Sequence, residues 1–360
     1  MSVEPPADDQ QRPIRRGQGL RLSVSAPAGD APPPPPLLPD EPLRRGQGLR
    51  LSTSATAGAS AGPANAMLRE LLGAPQVVAL SHGPVAYRVA GHGPPLLLLH
   101  GWAASSRYWL MTLADLASDF RVYAPDLPGF GDSPALSEPA TIARQARVVE
   151  EFADALGLET FTVNGHSYGA GIAAYLAALW PTRVQRLILT AFGAPGNELE
   201  RMLFALARVP LDLTLHLGYP WLNLLAPWVR IWQPVTTALL CVPPLPQMMA
   251  ARFIANGPRE QWMLQEGIVD LVKMDLRAHL LAIASVGDPA VFEALRTAPQ
   301  PALVIGGAGD QIMPPPTLNA AVQLLPDARL ALIEQCGHIP MIEQPEAYHQ
   351  ALRAFLLQAA

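Results

Sequence analysis

Phe161-Thr162-Val163-Asn164-Gly165-His166-Ser167-Tyr168-Gly169 carries the reading of this chain. The apolar run ending at Asn164 reads as a buried strand, and the Ala/Gly-rich stretch 167–179 reads as a helix. Between them lies a G-x-S-x-G turn. Such a turn must be tight and strained, and side chains in place of Gly165 and Gly169 would clash beside it. It pushes the Ser167 hydroxyl out over the sheet edge. It also puts the Tyr168 backbone N–H at a helix N-terminus, where the dipole favours a developing anion.

A serine hydroxyl needs a base. Of the eight histidines, His338 has the matching setting. It follows the strand Arg329–Glu334 in a Gln-Cys-Gly turn, so it lies at the same sheet end as Ser167, where parallel sheets build their sites. His100 ends a strand but reads as a turn residue, and elbow geometry should point His166 elsewhere. The base needs an orienting acid. Asp310 follows the strand Ala302–Ile305 through Gly306-Gly307-Ala308-Gly309. Asp126 reads as a turn organiser and Asp288 as a helix cap. His100-Gly101-Trp102 leaves the strand Pro95–Leu99, where the Trp102 N–H can serve as a second oxyanion donor.

Around these residues strands alternate with helices. Gln76–Leu80 and Val85–Val89 read as a hairpin, and Arg121–Pro125 and Val184–Thr190 as further strands; helices are expected near 141–156, 316–324 and 345–358. The rhythm predicts an α/β fold, a mostly parallel central sheet with helices on both faces. Residues 194–285 break it with helical, Leu-, Met-, Pro- and Trp-rich sequence. They read as a helical cap between two core segments, 67–193 and 286–360. Trp221, Trp228, Trp232 and Trp262 are expected either to pack the cap's own small core or to line its underside. Residues 1–66 have no aromatic residue and hold 12 of the 39 prolines, so they are expected to be a disordered tail. They contain a duplication, RRGQGLRLSVSAPAG at 15–29 and RRGQGLRLSTSATAG at 44–58.

Composition excludes other classes. Half of the 360 residues are apolar, 15% are charged and the net charge is -5, which leaves no basic excess for nucleic acid. Two cysteines exclude a disulfide framework and a four-cysteine zinc site. No signal peptide is read, and the charge-free candidate for a membrane helix, Ile231–Ala251, is interrupted by four prolines. A cytoplasmic location is expected, with no metal or organic cofactor. Weak membrane association through the apolar cap is a property to test, and oligomeric state is left open.

The order Ser167, Asp310, His338, with HGW at 100–102, DLPGFGDS at 126–133, GHSYG, GAGD and CGHIPMIEQP, resembles the α/β-hydrolase superfamily, cap included, from about residue 75 to 358. Serine at the nucleophile position sets the chain apart from relatives that open epoxides or dehalogenate alkanes. HGWAAS sets it apart from proline iminopeptidases. The resemblance implies a serine hydrolase acting on a carboxylic ester of a small or medium apolar substrate. Thioester or C–C bond hydrolysis by the same triad, or a non-catalytic accessory role, stays open. Trp102, Phe130, Tyr168, Met341 and the cap underside are the expected pocket walls. The stretch 202–250 has no lysine, so a polyanion clamp is not expected.

Overall fold

The structure is a computed structural model that describes residues 20–25, 48–54, 74–255, 262–285 and 287–358. Ten strands form one sheet: β1 (Leu20–Ser25), β2 (Gly48–Ser54), β3 (Gln76–Leu80), β4 (Gly83–Ala90), β5 (Pro95–Leu99), β6 (Arg121–Pro125), β7 (Phe161–His166), β8 (Val184–Thr190), β9 (Ala302–Gly307) and β10 (Ala328–Ile333). Their spatial order is β1-β2-β10-β9-β8-β7-β5-β6-β4-β3. Among the described residues only β3 with β4 and β4 with β6 pair antiparallel. The other pairings are parallel.

Helices α1 (Leu110–Leu116) and α11 (Pro345–Leu356) cover one face of the sheet, and α2 (Ile142–Ala155), α3 (Tyr168–Leu179), α8 (Pro289–Thr297) and α9 (Pro315–Leu324) cover the other. Because both faces are covered, β5 reads as an unbroken apolar run: Leu97 and Leu99 enter one core and Leu96 and Leu98 the other. The segment between β8 and β9 that the sequence reads as a cap is helical where described: α4 (Glu198–Leu240), α5 (Leu245–Ala250), α6 (Trp262–Lys273) and α7 (Leu276–Ala284). Asp288 caps α8 by accepting the Ala290 N–H at 3.0 Å. The remaining helix, α10 (Pro340–Glu343), is a single turn after β10.

Two features bear on the expectations. First, within the tail of residues 1–66 the structure describes β1 and β2. One comes from each copy of the duplication, and they pair in the repeat's own register, Leu20 beside Leu49. The alternating LRLS pattern suits a strand, and β10 offers an edge for it. The rest of the tail lies outside the described residues. Second, Trp221, Trp228 and Trp232 neither fill a cap core nor line its underside. All three are exposed on the outer side of α4. The side chain of Trp262 lies outside what is described.

Candidate active site

The elbow holds Ser167 at φ 50°, a left-handed conformation that costs a non-glycine residue about 1–2 kcal/mol. The sheet supports it: Ser167 N–H donates to the Thr190 carbonyl at 2.9 Å. A side chain at Gly165 would run into the Gly169 carbonyl. One at Gly169 would meet the carbonyls of Leu99 and His100. Ser167 is also the N-cap of α3, so the Tyr168 N–H opens that helix beside the hydroxyl.

The structure brings Ser167, His338 and Asp310 together. His338 Nε2 lies 3.2 Å from Ser167 Oγ, and its Nδ1 lies 2.8 Å from Asp310 Oδ2. Asp310 Oδ1 accepts the Ile312 and Met313 N–H groups at 2.8 and 3.0 Å. Burial alone would raise the Asp310 carboxyl, but the hydrogen bonds from His338, Met313 and Ile312 hold it below its ordinary value.

His338 is fixed through its backbone as well. Its N–H donates to the Phe253 carbonyl of the cap at 2.7 Å. Its carbonyl lies 2.8 Å from His166 Nε2. A carbonyl only accepts, so Nε2 carries the proton and Nδ1 of the neutral ring is the acceptor. Tyr108 therefore donates to His166 Nδ1 at 2.6 Å while accepting the Gly101 N–H at 2.7 Å. Burial, with the neighbouring His338, pushes His166 down to about 3, so the ring stays neutral. The chain Gly101, Tyr108, His166, His338 thus links the loop of Trp102 to the loop of the histidine. Glu343 adds a second tie: its carboxylate accepts the N–H groups of Ala255, Gly337 and Ile339 at 2.7, 2.9 and 3.1 Å.

Other assignments follow their local bonds. His100 Nε2 accepts the Leu127 N–H at 2.9 Å and Nδ1 donates to the Gly101 carbonyl, a turn role. Asp126 accepts the Ser106 and Asp132 N–H groups at 2.6 and 2.8 Å and organises its turn. Neither His166 nor Tyr108 had a readable signal. His166 adjoins the serine, where an elbow is expected to turn its ring away, and Tyr108 lies in a stretch with no periodic pattern.

A cavity of about 690 Å³ opens over Ser167 and His338. Trp102 and Tyr168 line it, together with Phe192, Met249, Phe253 and Met313. The expected wall residues Phe130 and Met341 do not. Both are fully buried, Phe130 against Tyr168 in one core and Met341 in the other. The cap's contribution comes from α5, α6, the C-terminal end of α7 and the turn at Phe253, while the α4 leucines 203, 206, 213, 217, 224 and 225 are exposed.

Away from Ser167 and the histidines, the charged residues of the wall are Arg107, Glu266, Asp270 and Asp288, with hydroxyls from Ser285 and Thr317. Arg107 sits against three carboxylates, Asp270 at 2.7 Å, Glu266 at 3.2 Å and Asp132 at 3.3 Å. Asp270 also accepts the Ser105 hydroxyl at 2.6 Å, and burial raises it to about 6 despite Arg107. The arginine of the wall is therefore already neutralised. Among the described residues no group of three His, Cys, Asp or Glu side chains is placed to hold a metal.

With this sheet, elbow and cap in view, the chain belongs to the α/β-hydrolase fold family, whose model matches residues 94–345, and it is a hydrolytic enzyme. A pimeloyl-[acyl-carrier protein] methyl ester esterase of Nitrosomonas europaea is 30% identical over 270 residues, covering 72% of this chain and 94% of that one. Among solved structures, a bacterial membrane phospholipase A matches at 25% identity and TM-score 0.59, over 82% of this chain and 89% of its own. A thermophilic esterase of Thermogutta terrifontis matches at 23% identity and TM-score 0.61, over 78% and 98%.

Proposed function

We propose that this protein hydrolyses a carboxylic ester of a small or medium apolar substrate through an acyl-enzyme. The observation that carries the reading is the Ser167–His338–Asp310 relay on the floor of a cavity walled by Trp, Tyr, Phe and Met side chains. Ser167 Oγ attacks the ester carbonyl while His338 Nε2 takes its proton. Asp310 holds the Nδ1–H and steadies the imidazolium. The Trp102 and Tyr168 N–H groups receive the oxyanion. His338 returns the proton to the departing alcohol, then activates a water that releases the acid.

The relatives named as esterases support an ester over other acyl substrates. The neutralised Arg107 leaves a free carboxylate on the acyl chain without a partner, so such substrates are disfavoured. Each methylene buried in the cavity contributes about 0.8 kcal/mol, roughly fourfold in kcat/KM where the transition state feels it.

The test is a p-nitrophenyl ester series from acetyl to octanoyl, with thioesters and lactones alongside and Ser167→Ala as blank. Rates should rise with chain length and then level or fall. A strong preference for acetate or for a dicarboxylate monoester would overturn the apolar-substrate reading. Hydrolysis that survives Ser167→Ala would overturn the mechanism.

A further inference from the structure

The loop that offers the Trp102 N–H is fixed at its ends by the core. Gly101 N–H donates to the Tyr108 hydroxyl at 2.7 Å, and Ser106 N–H donates to Asp126 Oδ1 at 2.6 Å. Between these ends, among the described residues, no hydrogen bond ties the backbone of residues 102–104. Ala103 sits there at φ 56°, a left-handed conformation that a non-glycine residue keeps only where its surroundings impose it.

The cap surrounds this stretch. The Trp102 ring stacks on Phe253, with centroids 6.3 Å apart, and lies 5.1 Å from His279 of α7. On the other side of Ala103, the Ser105 hydroxyl donates to Asp270 Oδ2 of α6 at 2.6 Å. Both residues are buried, so water offers neither a replacement partner. Arg107 donates to Asp270 Oδ1 at 2.7 Å, which leaves Oδ2 for Ser105. Asp132 and Glu266 complete the neutralisation of Arg107. A buried ion pair is a weak source of stability, because desolvation offsets the attraction. Two directed bonds to one carboxylate do, however, fix its orientation.

We propose that Asp270 is a positioning residue. Acting through Ser105, its carboxylate sets the loop so that the Trp102 N–H points to where the oxyanion forms. In the ester reading above, on which this rests, that N–H receives the oxyanion. The second oxyanion donor is then in place only when α6 is seated on the loop.

The experiment reads a tetrahedral adduct beside turnover. Ser167 Oγ adds to the carbonyl carbon of an alkyl trifluoromethyl ketone, its proton passes to His338, and the carbonyl oxygen becomes an alkoxide in the oxyanion site. The dissociation constant is measured by protection of Ser167 from a fluorophosphonate probe. Ser105→Ala and Asp270→Ala should each weaken the adduct about tenfold and lower kcat for p-nitrophenyl butyrate by a similar factor, with KM changed less than about twofold. The double variant should be little worse than either single one, because both remove the same link. Lys273→Gln removes an exposed tie from α6 to Asp132, 3.3 Å long, and leaves Ser105 and Asp270 untouched. It should keep the adduct and kcat within about twofold of wild type. Ser105→Ala retains the Asp270–Arg107 pair, so it decides the matter even where Asp270→Ala does not fold. Unchanged adduct binding in Ser105→Ala, a raised KM with unchanged kcat, additive losses in the double variant, or an equal loss in Lys273→Gln would each overturn the proposal. A wild type that forms the adduct yet hydrolyses no ester overturns the ester reading alone, and the adduct still reports on Asp270. A wild type that forms no adduct overturns both.

Discussion

Asp310→Asn separates an orienting carboxylate from a merely structural one, because the structure dictates how the new amide must sit. Oδ1 accepts two backbone N–H groups, from Ile312 and Met313, so the amide oxygen takes that place. The amide NH₂ then occupies the Oδ2 position, 2.8 Å from His338 Nδ1. Two donors cannot face each other, so the imidazole moves its proton to Nε2, which points at Ser167 Oγ and can no longer take a proton from it. Recovering the productive tautomer requires flipping the amide, which turns its NH₂ on the Ile312 and Met313 N–H groups. At about 1–3 kcal/mol per buried group left unsatisfied, the flip costs about 2–6 kcal/mol, roughly 30-fold to 2 × 10⁴-fold in rate. The upper end agrees with the loss of about 10⁴ that the wrong tautomer causes in serine triads. The assay is kcat for p-nitrophenyl butyrate, with circular dichroism and urea unfolding to show that the fold survives. Asp310→Ala should fall less far, since the vacated space lets a water accept the Nδ1–H. Turnover of the Asn variant within threefold of wild type would refute the reasoning and place the orienting acid elsewhere.

Tyr108→Phe removes the hydroxyl between Gly101 N–H and His166 Nδ1. It should cost about 2–4 kcal/mol in urea unfolding and about tenfold in kcat with KM little changed; an unchanged kcat would take this network out of positioning His338. Burial lowers His349 to about 4 even with Asp115 at 3.7 Å. Below about pH 6.5 the unfolded chain binds a proton that the folded one refuses, so stability should fall from there down to about pH 4, by up to about 1.4 kcal/mol per pH unit. His349→Gln, which can still pair with Thr112, should flatten that slope in unfolding curves at pH 7 and pH 5; equal slopes would contradict it. Gly165→Ala drives a methyl into the Gly169 carbonyl and should abolish fluorophosphonate labelling. Gly218→Ala meets nothing within 4 Å in α4 and should leave labelling intact and Tm unchanged or slightly raised.

The residues that ends of strands deliver were readable. Ser167, Asp310 and His338 each follow an apolar run and a glycine-bearing turn, and parallel topology sends all three to one sheet end. Direction was harder to read than membership. Periodicity shows that the α4 leucines and tryptophans share a face, but a repeating pattern is the same whether that face turns inward or outward. Phe130 and Met341 follow the same logic: both lie near site loops in sequence, yet their side chains turn into the two cores. The role of His166 depends on a carbonyl 172 residues away, a pairing that no local pattern encodes.

The bond from His338 N–H to the Phe253 carbonyl has a kinetic meaning. With the Glu343 contacts to Ala255 and Gly337, it clamps the cap segment 253–255 to the loop that carries the histidine. Swinging this part of the cap aside would release the imidazole's own backbone. In the proposed ester hydrolysis, an open cap would leave the base loosened and a closed cap would fix it over an enclosed substrate, so that capture and chemical competence would be one event.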